Sequence, residues 1–494
     1  MINDKEKVFF TVGLYERSFG VEAAGDHTLP DYQSEIRRIL HVDQTVLPPS
    51  VYVGSDSVEF NGTVDYQVIY VGGDGGIYSA PLSGEYSFSA PIDRSNARVE
   101  DVYALCSVCA EGVSTRVSAP RRLNIRSRLR PNVRIFGKVA ADDGIMMDED
   151  SDTLFKRTEK CRSVKCDSAV SELISLNYSA PLTRDDMRVI SAGAKVCVTD
   201  RECGGDSVRC RGRVELELLC SAEESSEISK MTADIPFEGE IDMEECSVGD
   251  LARVDGILSE MTVDVGDDGV GCELGIVLVA NVFRPCEVEY TADAYSSARE
   301  CLCETESVSA RRLLMCANSN VTFSERVALA DTTVPEDAEI LDARCGIVVD
   351  KCEENDGRYA LGGNARFAVI WQTQEDVGCS EINRPVRIEL AGMDRGVPVC
   401  FDARAEATDI KVRVEDSELR IDAELMISAD CMGEETVNAV VRAELGEMLM
   451  PRGSELTVCY PCEDDTLWSV AKRYKVAPER ITGDPQTEKY VMIQ

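Results

Sequence analysis

Two cysteine pairs and two histidines are the residues of this chain whose types and spacing suit metal or redox chemistry. Cys106 and Cys109, and again Cys459 and Cys462, have the Cys-x-x-Cys spacing. In an extended strand a separation of three sends side chains to opposite faces. Cys106 and Cys109 are therefore poorly placed to share one metal ion or one disulfide. A turn at Tyr460-Pro461 would bring the second pair together. With only His27 and His41 as nitrogen ligands, a zinc site would need four thiolates. The same shortage leaves almost no general base of the usual kind. There is no Gly-x-Ser-x-Gly elbow, P-loop or dinucleotide fingerprint. Among 90 aspartates and glutamates, no pair stands out as a hydrolytic acid and base. The expectation is a protein that is not an enzyme, with no cofactor and no metal.

The stretch Asp464 to Val476 offers binding chemistry instead. Asp465 or Thr466 is placed to cap a helix, because a short oxygen-bearing side chain accepts from the free N–H groups of the first turn. Leu467, Val470, Ala471 and Tyr474 then recur at i, i+3, i+4 and i+7, one helical face. Val458 and Tyr460 lie in an apolar run before the turn. Pro478 can open a second short helix, and Tyr490 to Ile493 closes as a strand. A βααβ unit of this size is a binding module. Its expected contact region is Asp465, Thr466, Leu467, Trp468, Lys472 and Arg473. Capping is the plainer role of Asp465 and Thr466, and core packing that of Leu467. Trp468 sits off the apolar face and is the expected exposed anchor, since large aromatics are enriched at interface hot spots.

Those residues resemble the LysM module, with its strand, Gly-Asp-Thr-Leu-Trp turn, helix ending in Lys-Arg-Tyr, second helix and strand. The resemblance implies binding of glycans that contain N-acetylglucosamine, such as peptidoglycan, or of a protein. Asp464 stands where that family usually has Gly. The segment Thr482 to Glu488 is short and lacks the Asn-Pro and Pro-Gly-Gln features. Both departures favour a protein partner.

At 494 residues the chain exceeds one ordinary core, and it repeats itself. Asn61 to Tyr70, Arg211 to Cys220 and Gly362 to Trp371 are similar, with Gly62, Gly212 and Gly363 spaced 150 and 151 residues apart. Upstream, Glu35 to Leu40, Asp186 to Ile190 and Glu339 to Ala343 keep the phase. Downstream, alternating segments fall around Thr115 to Ile125, Cys272 to Val282 and Leu419 to Ile427. In the second copy Val214, Leu216, Leu218 and Cys220 face one way, and Arg213, Glu215 and Glu217 the other. That period of two marks half-buried antiparallel strands. Val71 to Gly76 reads as a hairpin turn; no Lys-Ser/Thr follows, which sets aside a phosphate loop. Asp152 to Cys166 and Asp293 to Glu304 are expected to link copies, and Val8 to Tyr15 to add a strand. Residues 141–152 read as a solvated acidic loop.

The expected fold is mainly β: three repeated antiparallel sandwich or barrel-like domains, then the βααβ module. Boundaries are an extension at 1–27, repeats at 28–180, 181–330 and 331–450, and the module at 451–494. The repeats resemble the SPOCS domain of spore-forming bacteria in His27 to Tyr32, Glu35 to Asp43 and the Gly62 to Tyr70 strand. Together with the tail, the order is similar to the SipL-like family of spore morphogenetic proteins. The resemblance is strongest in the first repeat and weakest in the third, where Gly362-Gly363 and Trp371 replace the commoner residues. It implies a scaffold of spore-coat morphogenesis whose LysM tail docks on a SpoIVA-like coat basement ATPase. It also implies a place at the forespore surface and spore coat, in the mother-cell cytoplasm. The alternative is a peptidoglycan-binding protein. A wall hydrolase fits less well, because catalytic domains rarely come in three degenerate copies without a visible site.

The net charge of −38 argues against nucleic acid or an anionic membrane as partner, since phosphates would be repelled. Lys472, Arg473, Lys475 and Arg480 give the tail a locally basic face suited to a charged contact. Met1 to Lys7 is charged with no apolar run behind it, so no signal peptide is expected; no run reaches the length of a membrane helix. A cytosolic chain keeps its thiols reduced. The 21 cysteines then serve largely as small hydrophobes, as at Cys197, Cys210 and Cys220.

Overall fold

Alternating apolar residues over so much of the chain leave little but strands to form. The computed structural model describes residues 9–93, 98–141, 153–181, 187–222, 228–266, 269–450 and 456–494. The charged first seven residues and the acidic run at 142–152 lie outside these.

A first stretch holds β1 (Phe9–Ser18), β2 (Val21–Thr28), β3 (Ile36–Val46), β4 (Ser50–Val53), β5 (Ser57–Gly72), β6 (Ile77–Pro91), β7 (Val99–Ala119) and β8 (Arg122–Ala140). A second holds β9 (Leu154–Cys166), β10 (Val170–Ala180), β11 (Met187–Gly204), β12 (Ser207–Ala222), β13 (Ile228–Asp242), β14 (Leu251–Gly266) and β15 (Gly269–Ser296). A third holds β16 (Arg299–Ala328), β17 (Glu339–Asn355), β18 (Arg358–Gln372), β19 (Val377–Ala391), β20 (Cys400–Glu415) and β21 (Glu418–Met448). The tail adds β22 (Thr457–Cys459), α1 (Leu467–Tyr474), β23 (Ile481–Thr482) and β24 (Val491–Ile493).

One pairing order recurs. Antiparallel meanders form from β3-β5-β6, β11-β12-β13 and β17-β18-β19. Facing them are β2-β8-β7, β10-β15-β14 and the far half of β16 with β21 and β20. Each pair of sheets closes over the inward residues of alternating strands, as a sandwich must. Val64, Tyr66, Val68 and Tyr70 meet Leu123, Ile125 and Leu129. Val214, Leu216, Leu218 and Cys220 meet Leu274, Ile276 and Leu278. Ala365, Phe367 and Val369 meet Leu419, Ile421 and Leu425. The landmark glycines have a steric reason: the Tyr86 ring lies over Gly62 and the Phe237 ring over Gly212, leaving no room for a Cβ. The run Val71 to Gly76 makes the turn between β5 and β6, with Gly75 at φ +86°. The segment Thr115 to Ile125, read as one alternating strand, instead straddles the turn between β7 and β8 at Pro120-Arg121. Asp293 to Glu304 likewise contains the turn from β15 into β16.

The strands β8, β15 and β21 outrun their meanders. Their far halves pair with β1, β9 and the near half of β16 as three ribbons. The ribbons join through Phe10, Cys161, Val288, Tyr290, Val308, Ala310 and Val437, and β1 touches β16 at Val12 and Ala310. The three meanders meet elsewhere, at Ile69, Ile77, Ile190, Leu219, Leu341 and Ile370. This mutual packing corrects the half-buried reading of the second stretch. Glu215 and Glu217 are each only 9% exposed. Glu217 pairs with Lys230 at 2.8 Å, and Lys230 also reaches Asp342 in the third stretch at 2.9 Å. Glu215 accepts the Asp409 N–H at 2.9 Å. Charges on those faces find partners in a neighbouring stretch instead of water.

The three stretches also share a buried ionic cluster. Its frame is three cross-strand pairs, Ser107 with Asn132, Arg253 with Asn281, and Asp402 with Asp430. Arg134 and Arg253 have 1% or less of their surface exposed, and Asp430 none. Arg134 forms a bidentate pair with Asp430. Arg253 reaches Asp430 at 3.0 Å, Asp402 at 2.7 Å and Asp255 at 2.7 Å. Ser107 and Asn132 donate to Asp402 at 2.6 Å and 3.1 Å. Burial alone would push the Asp402 carboxyl up, but Arg253 and Arg134 outweigh it and bring it down to about 2.

Removing one partner from a buried ion pair strands the other charge. Asp430→Ala should therefore cost about 3–5 kcal/mol, read as a lower urea midpoint. Because Asp402 titrates lower in the folded chain, its contribution is present above pH ~4 and lost as pH falls from ~4 to ~2. Acid unfolding of the wild type should steepen across that window, and an Asp402→Asn variant should lose that part of the pH dependence.

Candidate interaction site in the tail

The turn before α1 is built by short polar side chains. Thr466 is the N-cap, and its hydroxyl accepts the Ser469 N–H at 3.2 Å while Ser469 Oγ accepts the Thr466 N–H at 2.9 Å. Asp465 accepts the Cys462 N–H at 2.9 Å and the Ser469 hydroxyl at 3.1 Å, and forms a bidentate pair with Arg473 one helical face away. The Arg473 guanidinium, with the Cys462 N–H, holds the Asp465 carboxyl down at about 2. Lys475 ends the helix in the left-handed region at φ 52°, a common C-terminal stop. Val470 and Ala471 pack on Cys459, Val476, Ile481, Val491 and Ile493. Among the described residues only one α-helix forms: Pro478–Arg480 is a single 3-10 turn, too short a span for the second helix expected there.

Two sequence readings change. Leu467, read as core, is 42% exposed; α1 spans only two turns, and its middle residues are the ones that reach the small sheet. Trp468, read as a free anchor, is engaged within the chain. Its ring meets Tyr295 edge-on at 5.0 Å, and its Nε1–H donates to Asp293 Oδ2 at 2.8 Å. Lys472 Nζ donates to Asp293 Oδ1 at 2.5 Å. Tyr295 stacks on Phe155 at 5.2 Å and donates its hydroxyl to the Val476 carbonyl at 2.8 Å. Burial pushes the Asp293 carboxyl up, but the hydrogen bonds from Lys472 and Trp468 outweigh it and set it below the usual carboxylate range.

The six residues thus divide three ways. Asp465 and Thr466 hold the turn, with Arg473 bonded back to Asp465. Trp468 and Lys472 seat the tail on the end of β15. Leu467 alone points free, and the exposed aromatics Tyr460 and Tyr490 lie 6.3 Å apart on the same module. Sequence reading missed Phe155, Asp293 and Tyr295. Asp-x-Tyr at the end of an alternating strand is too common to flag, and nothing local ties residue 293 to 468. As for metal, Cys459 is buried and Cys462 exposed. Among the described residues no three His, Cys, Asp or Glu side chains gather as a metal site needs. No helix among them is long and apolar enough to cross a membrane.

Residues 187–266 match the family model described as SipL, SPOCS domain. The matched segment runs from β11 through β14, the second meander and the first strand of the hairpin that faces it. No curated protein and no solved structure matches the chain. Over these residues the chain is similar to the SPOCS domain of SipL-like proteins.

Asp293→Ala removes the acceptor shared by Trp468 and Lys472, at a cost of about 1–3 kcal/mol to docking. Trp468 emission should shift to the red, and amide exchange in residues 467–476 should quicken. The urea midpoint of the β body should not move, because Asp293 lies outside its cores.

Proposed function

We propose that this chain is a non-enzymatic scaffold of spore morphogenesis. Its three β stretches act as SPOCS-type repeats, and its tail is a LysM-type module that docks on a SpoIVA-like coat ATPase. The observation that carries the reading is the SPOCS match at residues 187–266. It falls on a stretch whose pairing order recurs before and after it. The match supports a sporulation role, and the architecture is consistent with a scaffold. Three sandwiches locked by ribbons and a buried ionic cluster make a rigid body suited to spacing partners. Its place would be the forespore surface, on the mother-cell side.

For the tail, the proposed contact surface is the part that β15 leaves open. Leu467 supplies the apolar contact in the first turn, Arg473 lies in the last turn bonded to Asp465, and Asp465 and Thr466 hold the presenting turn. Lys475 and Arg480, both exposed, add positive charge for an acidic patch on the partner. Trp468 and Lys472 then act at one remove, by fixing the module's orientation. A second reading, glycan binding, draws on the exposed Tyr460 and Tyr490 rings, whose amphipathic faces suit a sugar.

Full-length protein should bind a purified SpoIVA-like ATPase in the presence of excess peptidoglycan fragments. Leu467→Asp, outside the tail core, should weaken that binding about tenfold, or ~1.4 kcal/mol. Sedimentation with peptidoglycan sacculi and no ATPase binding would reverse the order of the two readings.

A further inference from the structure

All 21 cysteines are reduced in this structure, yet three thiol pairs touch. Cys203 is hydrogen-bonded to Cys246, both of them buried. Cys301 and Cys303 have sulfurs 3.7 Å apart, and Cys352 and Cys431 have sulfurs 3.9 Å apart. The pairs differ in what oxidation would do. Cys301 and Cys303 lie two residues apart on β16, so their Cα atoms are ~6.7 Å apart in an extended strand, at the upper limit for a disulfide. Cys203 and Cys246 are both closed off from water. Cys352 sits on β17 of the third meander and is half-buried, whereas Cys431 sits on β21 of the facing sheet and is fully buried. Cys352 is thus the more exposed residue of the pair.

We propose that Cys352 and Cys431 form a peroxide-responsive dithiol that closes into a disulfide, stapling the two sheets of the third stretch. Hydrogen peroxide is the oxidant. The Cys352 sulfur attacks one peroxide oxygen, the O–O bond breaks, and one water leaves, so that Cys352 becomes a sulfenic acid. The Cys431 sulfur then attacks that sulfur; its thiol proton leaves with the sulfenic hydroxyl as a second water, and the S–S bond forms. Two thiols lose two electrons and peroxide gains them, so the step needs no metal and no other reductant. The geometry supports the roles. The hydrogen bond to Cys431 holds the Cys352 thiol below its ordinary value against the pull of burial. The bond to Cys352, with burial, pushes Cys431 up. The more acidic, more accessible thiol is the one that attacks.

Closure would link residues 79 apart in the sequence on two sheets held otherwise by apolar packing, and a long closed loop restricts the unfolded chain. The test is peptide mapping of the full-length protein after graded hydrogen peroxide, catalase quench and alkylation under denaturing, non-reducing conditions. A peptide joining Cys352 to Cys431, with a rise of several degrees in the thermal midpoint that dithiothreitol reverses, is the expected result. In a Cys431→Ala variant, Cys352 should remain as a sulfenic acid that dimedone labels. Recovery of both cysteines alkylated in wild-type protein, while other thiols have been oxidised, would overturn the proposal. So would Cys352 found as sulfinic acid beside a reduced Cys431, since that shows the second thiol does not resolve the first.

Discussion

Two guanidiniums and three carboxylates, closed off from water where the three β stretches meet, set the terms for the rest of this molecule. Arg134 comes from β8, Arg253 and Asp255 from β14, Asp402 from β20 and Asp430 from β21. Only the second stretch contains a balanced set. The first supplies a cation and neutral partners at Ser107 and Asn132, the second a cation with one anion, and the third two anions. The first and third would bury uncompensated charge if they packed without the others, a cost of several kcal/mol per ion. The cluster is net acidic by one charge, and the Ser107 and Asn132 donors on Asp402 offset that remainder. Such a cluster adds less to stability than apolar side chains would, but it tolerates few alternative arrangements. The faces that meet here are the ones that bring these charges together.

The same constraint explains why the meander faces depart from simple amphipathic strands. Once the ribbons and the ionic cluster hold the stretches together, the outer face of one meander becomes the inner face of an interface. Glu217, Lys230 and Asp342 then satisfy one another, and Glu215 takes the Asp409 N–H. The Arg344 guanidinium likewise lies between Asp43 of the first stretch and Ser191 of the second. Carboxylates outnumber guanidiniums among the buried charges, yet with 52 basic and 90 acidic residues in the chain the surface stays acidic. The basic helix of the tail is held by Asp293 and by the Tyr295 hydroxyl, backed by the Tyr295 and Phe155 rings. The tail is thus positioned by a small polar contact, not by a large apolar interface, and its orientation depends on residues of β15 that belong to another part of the chain.

Local chemistry made much of this readable in advance. Strand periodicity, the glycine turn at Val71 to Gly76 and the cap at Thr466 all depend on neighbours within a few residues, and the repeat of Gly62, Gly212 and Gly363 shows on comparing one part of the chain with another. The sequence shows those directly. The reading failed where distance along the chain and distance in space part company. Leu467 carried the right spacing for a helical core face, but the sheet it faces is too small to cover the first turn. Trp468 sat off the apolar face, and what covers it is 173 residues away, at Tyr295.

By itself, then, the sequence determined the elements: alternating strands, their turns, a short capped helix, and a composition that offers no visible catalytic set. Those follow from steric preference and from the period at which apolar side chains recur. The tertiary structure alone decided which charged residues are buried, which thiols touch, and which face of the tail stays open. Those outcomes rest on desolvation and on pairing that often joins distant parts of the chain, and a pattern confined to one segment has no record of what will face it.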